Sequence, residues 1–480
     1  MNAKTVFVSG RFNVLHPGHL RLLRFAKSYG NRLIVAVESD ENAGKFALVP
    51  EQLRLEGIQS NSCVDEAFIA HESIPSLIAK LQPDFVVKGK EHESLFNPEL
   101  FALEQYGGHL VFSSGEAVFS SLDLIRKEFS SFDPSSINLP SEYLARHQIQ
   151  VQDLTRLVAQ FAKLNVCVLG DLIVDEYITC EPLGMSQEDP TIVVTPIDSI
   201  RFIGGAGIVA AHAAGLGACV NFLSVAGVDE TKDFAIKTLS DMGVHLHILT
   251  DGSRPTTLKQ RFRCKGKSLL RVSHLHQNAI SLTLQEQLFS KIEKILASDG
   301  IDLLVFSDFN YGCLPQSLVD KIIQSAKARG VLLAADSQSS SQIGNISRFT
   351  DMDLITPTER EARISTRNHE DGLVVLAESL RMQSSSKNIL LKMGEEGLFI
   401  HAVNNQANNS WLTDRVDALN SSPKDVTGAG DSLLIASALT LASGGNIWEA
   451  ACLGSLAAAV QVGRVGNTPI QAAELLQELI

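Results

Sequence analysis

Short apolar runs alternate with helix-period segments along this 480-residue chain, and the alternation stops once and begins again. The runs at 5–9, 33–37, 66–70, 85–88 and 109–112 are four or five residues long, the length of strands rather than helices. Between the first two, Leu22, Phe25, Ala26 and Tyr29 recur at helical spacing. Alternation of this kind predicts a parallel sheet with helices on both faces. The stretch Phe129-Ser130-Ser131-Phe132-Asp133-Pro134-Ser135-Ser136 breaks the pattern, and residues 129–150 are expected to be a linker. A helix near 151–164 opens a second series, with buried runs at 165–171, 220–224, 303–307, 331–335, 354–356 and 389–392. Runs at 191–195, 258–263 and 268–272 alternate like exposed strands and predict a small β lid outside the main layer. The expectation is an α/β chain with two domains, 1–128 and 151–480.

The length exceeds what one core supports, in agreement with that division. Hydrophobic residues at 45% and charged residues at 20% are those of an ordinary globular protein. Lys and Arg number 41 against 54 Asp and Glu, a formal charge of −13 that opposes nonspecific attachment to nucleic acid or an anionic membrane. Seven scattered cysteines (63, 167, 180, 219, 264, 313, 452) contain no Cys-x-x-Cys, so neither a zinc site nor a disulfide framework is expected. The N-terminus runs straight into the first strand pattern, and no apolar stretch reaches the roughly 20 residues of a membrane span. These features predict a cytoplasmic protein.

Asp425-Val426-Thr427-Gly428-Ala429-Gly430-Asp431-Ser432 carries the sharpest chemistry. An apolar run to Leu441, closed by Ser443-Gly444-Gly445, predicts a helix starting at the glycines. Backbone N–H groups at such a start can cradle a phosphate, and Gly428, Ala429 and Gly430 leave their approach unobstructed. Asp431, on the first turn, is placed to take a proton from an attacking hydroxyl. A glycine turn by itself is more often plain architecture. Near the other end, Gly10-Arg11-Phe12-Asn13-Val14-Leu15-His16-Pro17-Gly18-His19 follows the first strand, with Pro17 suited to a first helical turn. His16 and His19 there can donate to a phosphate whose charge grows during displacement, and Gly18 leaves it room. The plainer alternative is a pair of surface histidines.

The Asp-x-x-Gly-x-Gly-Asp pattern at 425–431 resembles the signature of the ribokinase-like (PfkB) sugar kinases. That resemblance implies a ribokinase-like fold, Mg·ATP as phosphoryl donor, Asp431 as base, and a phosphate loop containing Asp425, Thr427, Gly428, Ala429 and Gly430. Gly170-Asp171 through Asp175, and Gly204-Gly205, fit the family's sugar-facing motifs. Asp171 accepts from sugar hydroxyls on that reading and caps a helix on the other. Thr356-Pro357-Thr358-Glu359-Arg360-Glu361 resembles the Asn-x-x-Glu motif, with Glu361 holding Mg²⁺ and Thr358 in the Asn position. Lys392, Gly394 and Gly397 resemble the strand and turn beside the adenine nucleotide.

The His-x-Gly-His pattern resembles the cytidylyltransferase-like nucleotidyltransferases, which have a Rossmann-like fold. It implies that Gly10, Arg11, Phe12, Gly18, Lys45, Lys88, Gly89, Ser120 and Ser121 surround a nucleoside triphosphate, with His16 and His19 catalytic. Gln52-Leu53-Arg54 resembles that family's Glu-Gln-Arg helix. Lys45 and Lys88 are otherwise ordinary surface lysines. Asn13, Ser121 and Lys90-Glu91 depart from the family pattern.

Together the halves resemble the bifunctional heptose 7-phosphate kinase/heptose 1-phosphate adenylyltransferases of lipopolysaccharide biosynthesis, in inverted order. The resemblance implies anomeric phosphorylation of a sugar phosphate by ATP, then transfer to an NTP giving an ADP-heptose-like product and pyrophosphate. CTP and another sugar or polyol phosphate are the alternative substrates, and a catalytically inactive half serving as a nucleotide-sensing module is the alternative role. Ile208, Met185-Ser186-Gln187-Glu188, Tyr311 and Gln338 depart from the family on the sugar side, the last two replacing lysines. The partners expected are these small molecules, with a homodimer formed through the lid.

Overall fold

The computed structural model describes residues 4–13, 15, 17–44, 47–89, 97–112, 137–186, 188–189, 191–264, 267–298, 300–339, 343–403 and 411–479. The chain forms two compact units, one drawn from Met1–Pro134 and one from Ser135–His369 with Val374–Ile480.

The first unit is built on β1 (Thr5–Gly10), β2 (Arg32–Glu38), β3 (Glu66–Ala70), β4 (Phe85–Lys88) and β5 (His109–Phe112), all parallel in the order β3-β2-β1-β4-β5. Val6, Val8, Leu33, Val35 and Val37 pack on one face against Leu23, Ala26 and Ile58. Phe7, Ile34, Ala36 and Val86 pack on the other against Ala70, Ile78 and Leu103. Both faces are covered, which is why the strands read as unbroken apolar runs. The strand order reverses between β1 and β4, and in such sheets ligands bind beyond the carboxyl ends at the reversal.

The second unit carries a nine-stranded sheet in the order β10-β9-β6-β13-β14-β15-β16-β17-β18. Its strands are β6 (Asn165–Gly170), β9 (Cys219–Ala226), β10 (His245–Thr250), β13 (Leu303–Asp308), β14 (Leu332–Ser337), β15 (Leu354–Ile355), β16 (Asn388–Lys392), β17 (Leu398–Val403) and β18 (Trp411–Val416). Pairing is parallel from β10 to β16 and antiparallel at the β17–β18 edge. The reversal falls between β6 and β13. A separate sheet, β12-β11-β7-β8, consists of β7 (Leu172–Met185), β8 (Ile192–Gly205), β11 (Thr257–Cys264) and β12 (Lys267–His274). Helices Ala429–Ala442 and Ile447–Val462 are apolar around most of their circumference and buried accordingly.

Two expectations change. Residues 137–150 are no free linker: Ser141–Arg146 is helical, Ile137 bridges to Asn420, and the buried Tyr143 donates its hydroxyl to the Trp448 carbonyl. The lid is also larger than the sequence pattern suggests. β7 escapes notice because residues 172–178 are buried on both sides, which removes the alternation that marks a lid strand.

Candidate functional site

In the second unit the strands deliver acidic side chains at their carboxyl ends, and each has a different fate. Asp171, after β6, accepts backbone N–H groups from Phe309 (2.8 Å), Tyr311 (3.3 Å) and Cys313 (3.2 Å). It is therefore no helix cap: its oxygens pin the 309–313 loop. Burial, and then the neighbouring Asp308, push its pKa to about 6. Asp308, ending β13, accepts from Ser337, Arg348 and the Asn310 amide, and is likewise spent on structure.

The acids that remain converge on the glycine loop. Gly428 caps the helix Ala429–Ala442 at φ +79°, and Asp431 lies in its first turn. The Asp425 carboxylate shapes the approach, accepting from the Thr427 amide (3.0 Å) and hydroxyl (2.7 Å), the Tyr177 hydroxyl (3.2 Å) and the Gly466 amide (3.1 Å). Burial favours its protonation, but these donors hold its pKa below the ordinary value. The N–H groups of Gly428, Gly430 and Asp431 have no hydrogen-bond acceptor among the described residues, so three aligned donors are left for an anion. A Cβ on Gly428 would collide with Asn467 Oδ1, and positive φ strains any other residue. Gly428→Ala should therefore distort the cradle and lower phosphoryl transfer by about 10²-fold, the usual effect of losing an oxyanion donor. Steady-state kinetics of the variant check this.

The Asp431 carboxyl is buried, and its Oδ1 accepts from Gln338 Nε2 at 3.3 Å. Burial first, and then the Asp336 charge, raise its pKa to about 7, the range wanted of a general base. Asp336, ending β14, forms a bidentate pair with Lys392 Nζ, both contacts 2.9 Å. Burial lifts Asp336 to about 6 in spite of that partner. Burial alone would lower the Lys392 pKa, but Asp336, Glu361 and Asp431 outweigh it and keep the group an ammonium.

Glu361 accepts the Ser339 amide on Oε1 (2.8 Å) and the Thr358 amide on Oε2 (2.8 Å), completing a capping box. Thr358, standing where Asn was expected, thus serves as helix cap. Among the described residues no three His, Cys, Asp or Glu side chains form a direct metal cage. Asp336, Glu361 and Asp431 all act electrostatically on Lys392, and a Mg²⁺ that arrives on nucleotide phosphates needs only one or two protein carboxylates.

Asp175, on β7, is buried with Oδ1 unpaired among the described residues, and Arg261 lies 3.8 Å from that atom. Burial raises its pKa while Lys259, Arg261 and Arg271 oppose the rise. Gly204 makes room for it, since a Cβ there would meet its carboxylate; a Cβ on Gly205 would strike the Asp171 carbonyl. Gly394 (φ +63°) and Gly397 (φ +90°) form the turn after β16, as plain architecture requires. Asp336 and Lys259 were missed in the sequence. Asp336 had a visible signal, an acid closing a buried strand as Asp171 does.

In the first unit, Gly10 ends β1 and Lys88 ends β4, on either side of the strand-order reversal. The helix Pro17–Ser28 starts at Pro17, so Gly18 and His19 occupy its first turn. The His19 ring meets the Phe12 ring edge-on at 5.0 Å. Phe12 itself is buried in the core at φ +49°, and its ring supports His19. Lys88 donates to Glu99 at 2.9 Å, and Arg11 to Glu38 at 3.4 Å. The fully buried Arg54 bonds the carbonyls of Val49 and Arg11 (2.7 Å each) and Asp40 Oδ1 (2.5 Å). Asn13 Oδ1 accepts the Leu48 amide. Gly89 directly follows β4. His16, Lys45, Ser120 and Ser121 lie outside the described residues.

A phosphate cradle at a helix start, a buried carboxylate beside it and a β lid define the second unit as an α/β phosphoryl-transfer enzyme of the sugar-kinase type. The chain belongs to the pfkB family of carbohydrate kinases, whose model matches residues 163–473, well over half of its length. Residues 7–105 match the cytidylyltransferase-like model. The bifunctional protein HldE of Helicobacter hepaticus is 31% identical over 319 residues, 65% of this chain and 63% of the relative. HldE of Shewanella baltica strain OS185 is 30% identical over 322 residues, 66% and 64% respectively. The chain thus spans just under two-thirds of the length of these curated relatives. Phosphofructokinase-2 from Escherichia coli, solved with substrates and products, shares the fold at a TM-score of 0.53 and 16% identity, covering 66% of this chain and 98% of that one. Ribokinase from Arabidopsis thaliana, complexed with ribose and ATP, does so at 0.51 and 18%, over 66% and 98%. No helix among the described residues is long and apolar enough to cross a membrane.

Proposed function

We propose that the chain is a bifunctional sugar-activating enzyme of the cytoplasm, its two catalytic domains corresponding to the two compact units. The observation that carries the reading is the Asp431 carboxyl, buried at the mouth of three unpaired N–H groups with a pKa near 7. In the second unit ATP phosphorylates a sugar phosphate at its anomeric hydroxyl. The hydroxyl oxygen bonds to the γ-phosphorus, its proton passes to Asp431, and the bond to the bridging oxygen breaks with its electron pair leaving on ADP. Mg²⁺ brought with the nucleotide supplies charge neutralisation, with Glu361 helping to orient it through its remaining lone pairs. Gly428, Ala429, Gly430, Asp425 and Thr427 hold the moving phosphoryl, while Asp175 binds the acceptor.

The first unit then joins the sugar 1-phosphate to the α-phosphorus of an NTP and releases pyrophosphate, with His16 and His19 neutralising the transition state and Lys88 binding phosphate. The relatives named HldE favour D-glycero-D-manno-heptose 7-phosphate as acceptor, ATP as the second nucleotide and ADP-heptose for lipopolysaccharide as product. The lid sheet exposes Leu183, Met185, Ile192 and Ile200, which supports a homodimer through this unit. His16→Ala should lower pyrophosphate release by on the order of 10²-fold or more while leaving ADP formation intact. A coupled pyrophosphate assay tests it, and an unchanged rate refutes the nucleotidyl-transfer role.

A further inference from the structure

We propose that Lys392 is a catalytic residue of the kinase site, the ammonium that meets the transferring phosphoryl group in the Gly428–Gly430 cradle. The inference rests on the kinase reading above and gives Lys392 a different place from the adenine side that its motif suggested. A Cβ built on Gly430 would stand 3.2 Å from Lys392 Nζ, so the ammonium lies directly against the cradle's backbone. A side chain at Gly430 would press on the lysine, which would have to give by a few tenths of an ångström. The side chain is 13% exposed, and its one ion-pair partner among the described residues within 4 Å is Asp336.

The charges around it point the same way. Asp336, Glu361 and Asp431 all act on Lys392, and Lys259 is a second buried cation that acts on Asp431. Once a phosphoryl oxygen occupies the cradle, the Lys392 ammonium, a compact point charge on a flexible stem, can move from Asp336 onto it without leaving the pocket. Its charge is then used where negative charge develops, beside the three N–H donors. Gln338 and Tyr311, standing where lysines were expected, contribute no cation; Lys392 enters from the end of strand β16 instead.

The experiment uses the full chain with Mg·ATP and D-glycero-D-manno-heptose 7-phosphate. Wild type must form ADP and the bisphosphate, and Asp431→Asn must not; if wild type is inactive, the kinase reading itself fails. Lys392→Met is expected to lower kcat about 10²- to 10³-fold with the acceptor KM within about threefold, and Lys392→Arg to recover part of the loss. A Lys392→Met variant within about threefold of wild type overturns the proposal. A reading on unsubstituted enzyme stands beside these: the Lys392 ε-¹⁵N resonance should shift when Mg·ADP, aluminium fluoride and acceptor are added together. An unmoved resonance also overturns it.

Discussion

Asp431→Asn should lower ATP-dependent phosphorylation by on the order of 10³- to 10⁴-fold while leaving acceptor and ATP binding within a few-fold. The amide is isosteric, so Gln338 keeps a partner, and only the capacity to take a proton is lost. The same carboxyl fixes the pH profile. Burial and Asp336 hold its pKa at about 7, so kcat/KM in the free enzyme should climb through that pH and level off above it. Stability should run the other way. A carboxyl whose pKa is raised by folding binds more protons in the native state than in the unfolded one. Stability is then fully present below the ordinary value near 3.8 and falls as pH rises toward 7. Asp171 and Asp336, both raised to about 6 by burial, add to this slope. His212, held neutral by burial with its pKa lowered to about 3, opposes this slope, so the test is a difference: denaturant unfolding over pH 4 to 7 should show wild-type stability falling relative to that of Asp431→Asn. An activity profile flat through pH 7 contradicts the base assignment.

Arg54→Ala is expected to be the most damaging single change to the first unit, costing about 3–5 kcal/mol. The guanidinium is wholly buried and donates to the Val49 and Arg11 carbonyls and to Asp40. Truncation leaves a cavity and removes the Arg54 donors from the Val49 and Arg11 carbonyls. The exposed Asp40 adds little, being screened by solvent. Because the Arg11 carbonyl belongs to the loop after β1, that loop loses its anchor along with the core. Arg54→Lys should rescue poorly, since one ammonium cannot satisfy three acceptors spread across a planar fork. Calorimetry should show the unfolding of the first unit displaced to lower temperature by many degrees, with pyrophosphate release lost alongside. A transition unmoved by Arg54→Ala contradicts this account of how the loop is held.

The sheets were legible in the sequence because strands buried on both faces appear as unbroken apolar runs, as at Val6–Val8 and Leu303–Phe306. The lid was legible only in part. Thr257–Cys264 and Lys267–His274 alternate and were found, while the buried first half of Leu172–Met185 does not. The Gly428 turn and the place of Asp431 on the first helical turn could be read from spacing. What spacing cannot convey is competition for a side chain. Asp171 and Asp431 both end apolar or glycine-rich motifs, yet three loop amides claim Asp171, whereas Gln338 is the hydrogen-bond partner of Asp431 among the described residues. Phe12 likewise sits in a site motif but turns inward, and Glu361 spends an oxygen on each of two amides. The Asp171 outcome depends on residues more than a hundred positions away, Phe309 among them.

The most direct test is mass analysis of the full chain incubated with Mg·ATP and D-glycero-D-manno-heptose 7-phosphate. The account predicts two products in succession: the sugar carrying one additional phosphate, formed with one ADP each, and then its nucleotide-linked form, formed with one pyrophosphate each. Recovery of the acceptor unchanged, with ATP consumed no faster than in its absence, would contradict it.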